Sequence, residues 1–425
     1  MVGEFRRAVI GGTLIDGTGR SPIKRSVILI KGAVIEKVGE EGEVKIPSDA
    51  QIFDAGDRTI IPGLIDCHLH LMGMRHPNLI LGAFEPLPLR ALRAAFDVKK
   101  VLMAGFTTVR DAGSRVGVYL KRAVEEGIII GPRILSAGLA ITKTGGHADQ
   151  HFMPLSWFKE AGDFGTVADG IDKCMEAVRL QVREGADVIK ICASGRIISK
   201  ESKSLAKAVK GSIHFTKPIP EYTMDELMAM VGEAHMAGKK VMVHAIEPEG
   251  IKNALIAGAD TIEHGVMLDE EACKIMVEKK AFYVPTLCLY YRMMKGASNE
   301  SIDEIKEAYD THIKSFRLAR KLGVKIAVGT DTFIHALTPF GENAEELELM
   351  VKAGMTPMEA ISAATKTSAE ALGLDNEIGT IEEGKLADLL VIRGDPLMDI
   401  GILRDPESIE AIFIGGKEIK IPLTP

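Results

Sequence analysis

Two rhythms of apolar and polar positions divide the chain. From Phe5 to about Ile61, short β-rich runs alternate with turns. Ala8-Val9-Ile10, Ser26-Val27-Ile28-Leu29-Ile30, Ala33-Val34-Ile35 and Thr59-Ile60-Ile61 are separated by Gly11-Gly12, Asp16-Gly17, Lys31-Gly32 and Ala55-Gly56-Asp57. This spacing predicts strands and hairpins and leaves no room for long helices. After Pro62, short apolar strands alternate with amphipathic helices, the pattern of parallel βα units. Eight strands are predicted, around residues 64–71, 107–111, 133–137, 187–193, 240–245, 261–265, 282–287 and 325–331. Helix-ending glycines at Gly105, Gly185, Gly258 and Gly323 announce several of them. Eight such units read as an α/β fold of the (β/α)8 TIM-barrel type. Past a helix at 357–372 the strand rhythm returns from Gly379 and closes with a run at 409–415. The two ends share one style and are expected to pair into a small β-sandwich. The expected domains are thus 1–61 and 378–425 for the sandwich, with a catalytic barrel, 62–377, inserted between them.

Composition narrows the function classes. At 425 residues, with 46% hydrophobic and 26% charged positions, the chain is long enough for one large barrel and a smaller companion. A net charge of -7 gives no basic surface for nucleic acid. No apolar stretch is long and charge-free enough to span a bilayer. The start, Met1-Val2-Gly3-Glu4-Phe5-Arg6-Arg7, is charged and leads into strand-like sequence, so no secretory signal is expected. Five scattered cysteines (Cys67, Cys174, Cys192, Cys273, Cys288) suit a reducing cytoplasm better than a disulfide framework.

Candidate chemistry gathers at strand ends, where barrel active sites are built. On the first barrel strand Asp66, His68 and His70 share one parity, so the two histidines can grip one ion. His244, His264 and Asp331 each end an apolar run. Imidazole nitrogen with carboxylate oxygen suits zinc, and iron, manganese or cobalt fit as well. Lys190 lies within Val188-Ile189-Lys190-Ile191-Cys192, apolar on both faces. A lysine there requires either an ion pair or conversion by CO2 to a carbamate, because desolvating an ammonium is costly. Taken singly, each histidine reads as a hydrogen-bonded rim residue, and Asp331 as a helix cap. Six such residues on five of eight strands do not read that way. His235 is expected on a helix, and His76, His151, His214, His312 and His335 in loops or on the surface.

The segment Pro62-Gly63-Leu64-Ile65-Asp66-Cys67-His68-Leu69-His70 resembles the opening motif of the amidohydrolase superfamily. Gly379-Thr380-Ile381-Glu382-Glu383-Gly384-Lys385-Leu386-Ala387-Asp388-Leu389 is similar to that superfamily's return into its β domain. More narrowly, Val188-Ile189-Lys190-Ile191, Val243-His244-Ala245 and Ile262-Glu263-His264-Gly265 resemble the imidazolonepropionase-related, prolidase-like branch. That branch holds Xaa-Pro dipeptidases, metal-dependent carboxypeptidases and N-acyl amino acid amidases. The resemblance implies two divalent metals, zinc by ligand chemistry. His68, His70 and Asp331 would hold one, His244 and His264 the other, with N6-carboxylated Lys190 between them. It also implies a metal-bridging hydroxide as nucleophile and Asp331 as the catalytic base. The small-molecule substrate is then a dipeptide or N-acyl amino acid, and a homo-oligomer is expected.

The resemblance implies that His147, in Thr144-Gly145-Gly146-His147-Ala148-Asp149, reaches the substrate as an oxyanion or carboxylate partner; read from the residues alone it makes a structural loop contact. Tyr222, just before the helix cap Thr223, either presents its hydroxyl to substrate or packs on the rim. Arg196 departs from the small residue usual in relatives. It either forks onto a substrate carboxylate or is a solvated loop charge. The run from Lys200 to Lys210 reads as a solvated loop or a lid. Competing activities are cyclic-amide hydrolysis, against which Lys190 argues, and a non-catalytic scaffold, against which the intact ligand set argues.

Overall fold

A computed structural model describes residues 5–76, 82, 84–149, 154–161, 164–195, 219–296, 302–333 and 338–419. Its strands in chain order are β1 (Arg6–Leu14), β2 (Ile23–Lys31), β3 (Val34–Glu40), β4 (Gln51–Asp54), β5 (Thr59–Pro62) and β6 (Leu64–Leu69). There follow β7 (Phe106–Asp111), β8 (Arg133–Ser136), β9 (Ala140–Thr142), β10 (Gly165–Val167), β11 (Val188–Cys192) and β12 (Lys240–Ala245). The last six are β13 (Thr261–His264), β14 (Phe282–Val284), β15 (Lys325–Ile326), β16 (Leu389–Ile392), β17 (Ile409–Ile414) and β18 (Lys417–Glu418). The chain divides into two compact units: 1–66 with 100–108 and 341–425, and 67–99 with 109–340.

In the first unit the two chain ends share one eight-stranded sheet, in the order β18-β17-β16-β5-β1-β2-β3, with β4 added alongside β1. The joint is β5 against β16, antiparallel, with Thr59 opposite Ile392 and Pro62 opposite Leu389. Alternation decides which side of the sheet each side chain packs on, since residues 27–30 and Leu389–Ile392 are buried on both sides. Ile28 and Ile30, Leu389 and Val391, and Phe413 all enter one core cluster, as period-two patterning demands. Phe53 meets the Phe413 ring edge-on at 5.3 Å.

In the second unit β10-β9-β11-β12-β13-β14-β15 form one sheet; a separate three-stranded sheet is formed by β6, β7 and β8. Every pairing in the seven-stranded sheet is parallel, and β11 and β13 are buried at every position, as strands covered on both faces must be. Past the end of β15 the chain hydrogen-bonds to β6: Cys67 N–H donates to Val328 O (2.8 Å) and Thr330 N–H to His68 O (3.0 Å). Asp187 N–H donates to Ser136 O (2.8 Å), joining β8 to the start of β11. This arrangement of parallel strands is consistent with a TIM barrel.

Helices fill the connections where the sequence signals them. Gly185 and Gly258 end their helices in the left-handed conformation, φ 100° and 105°, which a side chain at Cβ would resist. Thr223 caps Met224–Met236 in a reciprocal capping box with Glu226. No helix among the described residues is long and apolar enough to cross a membrane.

Candidate metal centre

The second unit brings the strand-end candidates together. His68 ends up beside His264, ring centroids 4.9 Å apart, and His264 beside His244 at 4.5 Å. His70 lies 5.4 Å from His68, and His147 stacks on His244 at 3.8 Å with the planes 23° apart. Asp331 reaches into the group: its Oδ1 is 3.3 Å from His70 Nε2 and 3.6 Å from His68 Nε2, and its Oδ2 is 3.9 Å from His264 Nδ1. Ligand atoms of His68, His264 and Asp331 all lie within 4.8 Å of one another, compact enough for one cation. Lys190 enters from β11, one strand from His244 on β12, with Cys192 paired to His244 in register.

Electrostatics leaves these groups in the protonation states that ligands require. Burial, and then neighbouring positive charge, holds His68, His244 and His264 well below the usual imidazole range, so the rings are neutral. The same two causes lower His147 to about 4. Burial alone would raise the Asp331 carboxyl, but His68 and His70 outweigh it and bring it down to about 2. Neutral imidazoles around a carboxylate form a donor set that fits a divalent metal. His244 Nε2 is buried and has no hydrogen-bond partner among the described residues, which fits a nitrogen reserved for an ion.

Lys190 is only 1% exposed, yet no described residue forms a hydrogen bond or ion pair with it. Burial pushes its pKa down, partly opposed by Glu263, Cys192 and Asp331. Of the two explanations for a lysine in this strand, the ion pair is not formed among the described residues.

Several supporting residues were not singled out from sequence. Glu263, preceding His264 on β13, is fully buried, 2.5 Å from His68 Nδ1 and 2.9 Å from the Arg110 guanidinium, and it also accepts from the Thr261 hydroxyl. A carboxylate and an arginine within short strand-like runs were the available signal. The Thr286 hydroxyl lies 2.8 Å from His264 Nδ1, and His70 Nδ1 lies 2.9 Å from Gly113 O. Such contacts fix which ring nitrogen faces a metal. Among the described residues, three of the five non-glycine positions at positive φ belong to this group: His264 (67°), Thr286 (55°) and Asp331 (51°). Backbone strain is therefore concentrated where the chemistry is.

The remaining candidates are placed differently. Backbone N–H of His147 donates to Glu221 Oε1 (2.7 Å), which fixes the loop that carries the ring. Tyr222 is buried and its hydroxyl donates to Ala168 O (3.1 Å). Arg196 and the run from Lys200 to Lys210 lie outside the described residues, as do His151, His214 and His335. His312 corrects the sequence reading. It belongs to the helix Ile302–Lys321, fully buried, because it falls on the inward stripe with Ile305, Phe316 and Ala319.

Buried histidines and an aspartate gathered at strand ends, beside the buried Lys190, are side chains able to hold a metal ion. The chain belongs to the amidohydrolase family, whose model matches residues 59–419. It is 31% identical over 438 aligned residues to ochratoxinase of Aspergillus niger, covering 97% of this chain and 86% of that protein. Imidazolonepropionase of Pseudomonas fluorescens is 25% identical, with 89% and 90% covered. The crystal structure of an Xaa-Pro dipeptidase with bound methionine in the active site superposes with a TM-score of 0.83 at 31% identity, covering 98% of this chain and 100% of that one. The chain therefore falls in the prolidase-like branch and is a hydrolase acting on C–N bonds.

Proposed function

We propose that the protein is a binuclear metal-dependent hydrolase of the amide bond in dipeptides, Xaa-Pro or related, or in N-acyl amino acids. The observation that carries this reading is Lys190, a buried amine inside the histidine and aspartate cluster with no partner among the described residues. An amine in that position is stabilised if its Nζ adds to CO2 and releases a proton, giving a carbamate whose two oxygens can serve two cations. His68, His70 and Asp331 would then hold one ion and His244 with His264 the other, zinc being suited to this donor set. The names of the relatives, ochratoxinase and Xaa-Pro dipeptidase, support amide hydrolysis.

When bound, such ions supply Lewis acidity toward a carbonyl and lower the pKa of water to about 7. The chain's own groups do the rest. Asp331, ionised over the whole physiological range, accepts the proton of the attacking water and returns it to the leaving nitrogen. His147, kept neutral and seated on the His244 ring, donates its one ring N–H to the substrate's carbonyl oxygen or carboxylate. Burial of the cluster excludes bulk water and strengthens each of these interactions. The fold reading that accompanies this function is a closed (β/α)8 barrel, 62–377, inserted in a β-sandwich of 1–61 and 378–425, in a cytoplasmic homo-oligomer.

The test is a screen of metal-replete protein against dipeptides, N-acyl amino acids and cyclic amides, beside a chelated control. Chelator-sensitive cleavage of the first two classes is expected, and activity confined to cyclic amides overturns the substrate class. Asp331→Asn should retain much of the metal and lose turnover, whereas near-normal turnover removes Asp331 from its role as base.

A further inference from the structure

The surface just beyond the metal-ligand candidates has a definite chemical character. His244, His264 and Asp331 are each followed two residues later by an apolar side chain: Ile246, Val266 and Phe333. These three pack into one cluster with Tyr290 and Met293 of the helix Leu287–Gly296, which leaves the end of β14. Val266 and Tyr290 are buried, but Ile246 and Phe333 keep part of their surface open.

Both Ile246 and Phe333 adjoin the histidines. Phe333 stands edge-on to His70, centroids 6.3 Å apart at 85°. One point lies 2.8 Å from both Ile246 Cγ1 and His244 Nε2, and it is the point that a Cβ at position 195 would occupy. Gly195, at φ 108°, leaves that space clear, and no other residue type adopts this backbone readily. Tyr290 rests against the His312 ring at 5.0 Å, and its hydroxyl has no hydrogen-bond partner among the described residues. Burial, and then the charge of Asp331, pushes the phenol's pKa up, so the hydroxyl lies within the field of that carboxylate and stays protonated.

From this geometry we infer that the substrate carries a bulky apolar side chain, seated on a wall of Ile246, Val266, Phe333 and Tyr290, with the Tyr290 hydroxyl donating to a polar atom of the same substrate. The inference rests on the amide-hydrolase reading and names the substrate class for it. The wall side chains are apolar apart from the Tyr290 hydroxyl, so an acidic or basic side chain seated on them loses hydration that they do not replace. An aliphatic or aromatic one trades water for apolar contact. A pocket of this kind discriminates by about 10- to 200-fold per group lost or misplaced.

The experiment compares metal-replete enzyme on dipeptides and N-acetyl amino acids bearing Leu, Met or Phe with those bearing Asp, Glu or Lys, varied at each substrate position. At one position the apolar series should exceed the charged series by about 100-fold in kcat/KM. Ile246→Asp should lower kcat/KM for Leu substrates by about 100-fold and raise it for Lys substrates. Tyr290→Phe should lower kcat/KM about 10-fold across the series without changing its order. Calorimetric binding of phosphinic dipeptide analogues to the unmodified protein reads the wall without turnover or variants. Amide cleavage with no apolar preference overturns the inference and leaves the reaction class standing. Preferential binding of apolar analogues without amide cleavage sustains the wall and overturns the reaction class. Equal binding of apolar and charged analogues overturns the inference whatever the turnover.

Discussion

Replacing Glu263 by Gln separates two functions that one carboxylate serves. The substitution keeps the shape and removes the charge between His68 Nδ1, at 2.5 Å, and Arg110, at 2.9 Å. Arg110 is 1% exposed, so it cannot turn to water for compensation, although it still donates to Cys67 O at 2.6 Å. Breaking a buried pair on one side costs about 3–5 kcal/mol. The second effect falls on the metal. A carboxylate behind a ligating imidazole fixes its tautomer and basicity, and its loss lowers metal affinity by about 10- to 100-fold. Urea denaturation in the presence of chelator reads the first effect, and competition with a chromogenic chelator reads the second. The double variant Arg110→Met with Glu263→Leu should recover most of the stability, since apolar residues of similar volume replace a buried pair well. It should not recover metal affinity, because His68 still lacks its acceptor. A metal-free Glu263→Gln protein within about 1 kcal/mol of the parent would refute the claim that this pair is desolvated and mutually dependent.

Lys190→Ala should lower metal content and activity together, with partial rescue by short-chain carboxylic acids that can stand in for a carbamate. Full activity in that variant removes the lysine from the centre. Thr286→Val removes the hydroxyl that sets the His264 ring and should weaken metal binding by about 10-fold with little loss of stability, measured by chelator competition. Burial raises the Cys174 and Cys273 thiols to about 12, so native protein at pH 8 should resist iodoacetamide and then react at all five cysteines once unfolded. Above the ordinary thiol pKa of 9.0 the unfolded chain loses protons that the folded one keeps, so stability should fall between pH 9 and about 12. Rapid labelling of the native protein at pH 8 would contradict both shifts.

The strand-end histidines were readable as a group because β strands present alternate side chains to one face and parallel strands finish on one side. The shared sheet of the chain ends was readable from a return of the same rhythm after 379. What lay beyond reach depended on register between distant strands. Glu263 meets His68 across 195 positions and Arg110 across 153, distances over which no sequence periodicity operates. Parity also fails at His264, where φ of 67° turns the chain out of the strand. His312 was misread because one polar residue in the helical stripe at 305, 312, 316 and 319 looks like a surface position unless the whole stripe is followed. Tyr222 was readable as a residue near the cap Thr223, but its bond to Ala168 depends on a loop whose path the sequence does not encode locally.

The left-handed backbone at Asp331 sets what selection for robustness will do to this protein. Among residues other than glycine, asparagine tolerates φ near 51° best, and glycine adopts it freely. Both substitutions relax the chain, and neither provides a carboxylate. A library sorted on heat resistance alone will therefore enrich inactive clones at this position, and any effort to harden the enzyme has to screen turnover in the same round.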